Sequence, residues 1–73
     1  MTNTTLLREK IDDSGIKLGV IAEKLGISYG WLKKKLDGEK DFKAYEIKIL
    51  CEVLNITNLR EKERIFFAQD VGK

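Results

Sequence analysis

Apolar residues recur three and four positions apart along almost the whole chain, and this spacing dictates a helical protein. Leu7 and Ile11 make the first pair, and Leu18, Ile21, Ala22 and Leu25 make a second stripe. Leu32 and Leu36 form a third, and Ile47, Leu50, Cys51 and Leu54 a fourth. Proline is absent, so nothing breaks these runs from within. The breaks fall instead at residues that favour helix ends: Ser14-Gly15, Gly26, Asp37-Gly38 and Asn55 as stops. Thr4 or Thr5, Ser28, and Thr57 or Asn58 are suited to begin the helices that follow. The pattern predicts an all-α, compact five-helix domain. Its third helix spans 28–36, its fourth runs from about Lys43 to Leu54, and its fifth contains Leu59 to Phe67. The cluster Ile65-Phe66-Phe67 suits a strand as well as a helix, so 65–71 stays open between the two. Phe66 and Phe67 cannot easily both be buried in so small a core.

A length of 73 residues fits one small domain, 1–73, with 68–73 expected as a loosely ordered tail. Apolar residues make up 42% of the chain, too many for a disordered segment. There is no histidine and only one cysteine, which removes His-based catalysis, intrachain disulfides and Cys or His zinc sites. A lone cysteine fits a reducing compartment, and Cys51 lies on an apolar stripe, where it reads as a small core residue. No apolar run reaches the roughly 18 residues of a membrane span, and no signal peptide opens the chain. Gly26-Ile27-Ser28-Tyr29-Gly30 matches the hydrolase pattern G-x-S-x-G, but that motif needs a preceding strand and a histidine. Asn3-Thr4-Thr5 and Asn55-Ile56-Thr57 match a glycosylation pattern that has no meaning in the cytosol. The expectation is no enzyme, with no catalytic, metal-binding or cofactor-binding residues.

The net charge of +2 conceals an uneven distribution. Residues 17–51 carry eight lysines against five acids, and no acid lies between Lys24 and Asp37. The densest basic stretch is Lys33-Lys34-Lys35. A local basic patch on a nearly neutral chain points to a polyanionic partner more than the overall charge does. Lys35 is expected to be mostly exposed and outside the site, with Leu36 turned inward.

The segment from Lys17 to Leu32 has its own mechanical logic. Ala22 is small enough for a neighbouring helix to approach, and Gly26 suits a sharp turn. Ile27 fills the angle of that turn, Ser28 caps the next helix, and Leu25 and Leu32 fill the corner. Together these are the requirements of a helix-turn-helix. Ile-Ala-Glu-Lys-Leu-Gly-Ile-Ser, residues 21–28, resembles the helix-turn-helix of the Cro and phage-repressor family, also called the XRE family. Asp37-Gly38 resembles the turn after that family's recognition helix, and residues 43–50 with Leu54 are similar to its fourth helix. The ending Ile65-Phe66-Phe67-Ala68, followed by Val71, resembles small phage and prophage regulators of Gram-positive bacteria.

The resemblance implies a lambda-repressor-like domain that binds operator DNA, usually as a homodimer, in the bacterial cytoplasm at the nucleoid. It places base readout on Tyr29, Gly30 and Lys33 or Lys34, beside Ser28 and Trp31, and further contacts on Lys40 and Lys43. The family often has a glutamine at position 17 or 18, where this chain has Lys17-Leu18; the Lys17 ammonium can replace a phosphate contact but not two-sided amide bonding. Gly30 has no side chain where a base-reading group often sits, and Trp31 is large where a small polar residue is usual. Tyr29 cannot make a bidentate contact to adenine. Two functions therefore stand side by side. One is a transcription regulator reading DNA through phosphates and shape. The other is an antirepressor that binds a phage repressor protein instead of, or together with, DNA.

Overall fold

The computed structural model describes residues 1–68. The chain forms α1 (Thr4–Ser14), α2 (Leu18–Leu25), α3 (Tyr29–Leu36), α4 (Ala44–Val53) and α5 (Leu59–Phe66). There is no strand among the described residues, so the all-α, five-helix expectation holds. The ambiguous end of the chain is helical as far as Phe66; residues 69–71, and the expected tail beyond Ala68, lie outside the described residues. None of the helices described is long and apolar enough to cross a membrane.

Local chemistry sets the helix ends. Asn3 caps α1, its side-chain oxygen accepting from the Leu6 N–H at 3.1 Å, so the cap lies one residue before the threonines expected for it. The same amide chemistry makes Asn58, rather than Thr57, the cap of α5. At the end of α2, Gly26 has φ +74. The Ile27 N–H reaches the Ala22 carbonyl and the Gly26 N–H the Glu23 carbonyl, both at 3.1 Å. This double bond pattern needs a left-handed residue, and glycine reaches that conformation without a Cβ clash. Asn55 (φ +56) does the same at the end of α4. There the Ile56 N–H reaches the Cys51 carbonyl at 2.8 Å. Asparagine is among the few side chains that tolerate this conformation.

The helical stripes converge on one core. Leu7 and Ile11 of α1, Ile21, Ala22 and Leu25 of α2, and Leu32 and Leu36 of α3 are buried with Ile47, Leu50, Leu54, Ile56, Ile65 and Phe66. Phe42, just ahead of α4, meets Phe66 edge to face with ring centroids 6.4 Å apart. Phe67 is half exposed, so only one of the two adjacent phenylalanines enters the core. α2 packs on α3 and α4, and α1 packs on α3 and α5. The Asn3 N–H donates to the Ile65 carbonyl at 2.6 Å and ties the start of α1 to α5. Leu32 is fully buried, a burial worth about 1.5–3 kcal/mol, and it anchors the inner side of α3.

Candidate nucleic-acid interface

α2 and α3 are joined by three residues, Gly26, Ile27 and Ser28. The Ser28 hydroxyl oxygen accepts from the Trp31 N–H at 3.0 Å and starts α3. Leu32 and Leu36 hold one side of α3 in the core, which turns Tyr29, Gly30, Trp31, Lys33 and Lys34 outward. Tyr29 is 52% exposed and Trp31 is 40% exposed.

The aromatic and basic residues of this surface are organised in pairs. Lys33 Nζ lies 6.0 Å from the centre of the Tyr29 ring, four residues earlier on the helix. Lys34 Nζ and Lys40 Nζ each lie 5.6 Å from the centre of the Trp31 ring. An exposed contact of this kind is worth about 0.5–1 kcal/mol, enough to bias the position of a flexible lysine. Trp31 thereby joins the loop after α3 to the helix itself. Lys43 occupies the cap position of α4, and Lys17 that of α2. Lys17 and Tyr29 border one shallow surface depression with Leu18, Gly19, Val20 and Glu23, which connects the starts of α2 and α3.

Two of the nearby carboxylates, Asp37 and Asp41, are occupied elsewhere. Asp37 pairs with Arg8 at 2.6 Å. Asp41 accepts from the Thr2 hydroxyl at 3.1 Å and from the Phe42 N–H at 3.0 Å. Among the described residues, Lys17, Lys33, Lys34, Lys40 and Lys43 take part in no ion pair. Five ammonium groups outside any ion pair therefore lie on α3, in the loop after it and at the starts of α2 and α4, three of them over the two aromatic rings of α3.

Lys35 corrects the sequence expectation. It is buried, with only 2% of its surface exposed, and its Nζ donates to Glu46 Oε1 at 2.6 Å. It lies three residues after Leu32, on the inward stripe of α3, and its stem runs into the core. Glu46 is equally buried, and the same Oε1 also accepts from the Lys43 N–H at 2.8 Å. The Lys35 ammonium further reaches the Asp41 carbonyl at 3.3 Å and lies 5.7 Å from the Phe42 ring centre. The signal available in the sequence was positional: a lysine on an apolar stripe, and an acid three residues into a helix.

Gly30 has nothing within 4 Å of where a Cβ would sit. The fold does not require glycine there, and a helical glycine costs roughly 0.5–1 kcal/mol relative to alanine. Gly30 lies in the first turn of α3, where this penalty is smaller than in a helix interior, so Gly30→Ala is expected to stabilise the domain by at most about 0.5 kcal/mol, seen as a higher urea midpoint with an unchanged slope. Cys51 is half-buried, and burial pushes its thiol up from the ordinary value, as suits a packing residue rather than a nucleophile. No group of acids and cysteine among the described residues is arranged to hold a metal ion.

No protein-family model, no curated protein and no solved structure matches the chain.

Proposed function

We propose that the chain is a DNA-binding transcription regulator of the Cro and phage-repressor type, with α3 inserted in the major groove. The observation that carries this reading is the set of five unpaired lysines on and around the exposed side of α3, which follows α2 across a three-residue turn. Lys33 and Lys34 project from α3 itself, while Lys17, Lys40 and Lys43 flank it at the starts of α2 and α4 and in the loop between α3 and α4. This arrangement suits phosphates on both sides of a groove. Gly30 allows the helix start to approach base edges closely, Tyr29 supplies one hydroxyl, and Trp31 supplies an apolar surface for thymine methyls. With so few base-reading groups, groove shape and deformability carry much of the specificity. A homodimer on a palindromic operator, in the bacterial cytoplasm, is the arrangement that the family resemblance implies. Gel-shift assays with the DNA upstream of its own operon test the reading. Retardation at low salt supports it, and no retardation at any protein concentration rejects it.

The exposure of Trp31 and Tyr29 favours one second reading, an antirepressor docked on a phage repressor protein, because aromatic residues anchor protein interfaces. Capture of the repressor encoded next door, lost on Trp31→Ala, is its expected signature.

A further inference from the structure

We infer that the buried Lys35–Glu46 pair is a positioning device that fixes Lys40 and Lys43 against α3 for the partner of that surface; that this partner is duplex DNA rests on the reading above. The loop from Asp37 to Lys43 is tied down at both ends and near its middle. The Arg8 guanidinium holds Asp37 at 2.6 Å, and the Glu39 N–H donates to the Lys34 carbonyl at 3.0 Å. On the far side, Lys35 holds the Asp41 carbonyl and Glu46 holds the Lys43 N–H. Lys40 thus lies between two anchored neighbours, with its ammonium over Trp31. Lys43 is fixed where the loop enters α4.

Stability alone is a weak explanation for such a pair. Two charges taken out of water give back little more than a well-packed apolar pair of the same volume, and often less. A methionine and a leucine could fill this space beside Phe42. They could not hold the Asp41 carbonyl or the Lys43 N–H, which are the two loop anchors the pair supplies. Its particular product is loop geometry. A loop already ordered before binding avoids the entropic cost of ordering its lysines on the partner.

The test combines exchange of backbone amide hydrogens with DNA binding. In the unaltered protein, the Lys43 amide is expected to exchange within about tenfold of the Leu50 amide in the core. Exchange at the rate of an open loop overturns the inference without any variant. In the double variant Lys35→Met with Glu46→Leu, the Lys43 amide is expected to exchange at least about tenfold faster relative to Leu50. Affinity for upstream duplex DNA should fall roughly tenfold, and the salt slope should shrink by about one to two units as Lys40 and Lys43 lose their fixed positions. Unchanged exchange in the variant overturns the inference, as does a loosened loop with unchanged affinity and slope. If the unaltered protein binds no duplex, the DNA reading falls, and the exchange result still decides the positioning role.

Discussion

Lys35→Ala is expected to remove about 3–5 kcal/mol of stability, the usual result of leaving one partner of a buried ion pair alone. The substitution leaves the Glu46 carboxylate buried with only the Lys43 N–H to satisfy it. It also strips the Asp41 carbonyl of its donor and opens a void beside Phe42. Domains are stable by about 5–15 kcal/mol, and small ones lie near the lower end, so only about 0–2 kcal/mol should remain at room temperature. Urea titration followed by circular dichroism measures this directly. Lys35→Met with Glu46→Leu should recover most of the loss, because no charge is then stranded. If Lys35→Ala costs under about 1 kcal/mol, the pair is not buried in solution as described.

The second large effect concerns binding. Lys33→Ala combined with Lys34→Ala is expected to lower the affinity for duplex DNA on the order of a hundredfold at low salt. A hydrogen bond to a charged group contributes about 1.5 kcal/mol or more, and each such loss is worth roughly tenfold. The slope of log affinity against log salt should also fall by about two units, one for each phosphate contact removed. Both lysines are exposed and outside any ion pair, and each lies over one aromatic ring, so the stability read from urea titration should fall by no more than about 1–2 kcal/mol. A double variant that binds as tightly as the original, with the same slope, removes α3 from the interface.

Most of the fold was legible in the sequence because helical spacing and left-handed stops are local signals. Gly26 and Asn55 both end helices in the backbone conformation that their chemistry allows. The choice of Asn3 over Thr4 was not legible, since both side chains can cap and the outcome depends on where the chain meets α5 through the Asn3 N–H. The exposed side of α3 was legible from Leu32 and Leu36, which fix its inner side. Lys35 was not. Three consecutive lysines look alike in a charge count, yet the helical turn of 100° per residue sends one inward and two outward. Only the path of the chain from α3 into α4 brings Glu46 to Lys35 and supplies the buried carboxylate that makes the inward position tolerable. The convergence of Lys40 on Trp31 was equally invisible, because it depends on the path of the loop between α3 and α4.

The most direct test of the central claim is fluorescence anisotropy of a labelled duplex, carrying the sequence upstream of the protein's own operon, titrated with the unaltered protein at several salt concentrations. Five lysine–phosphate contacts from each bound protomer should give a slope of about −4 to −5 per protomer in log affinity against log salt, with clear binding at about 50 mM salt. No binding at that salt concentration, or an affinity that does not change with salt, would contradict the assignment of the α3 surface to DNA.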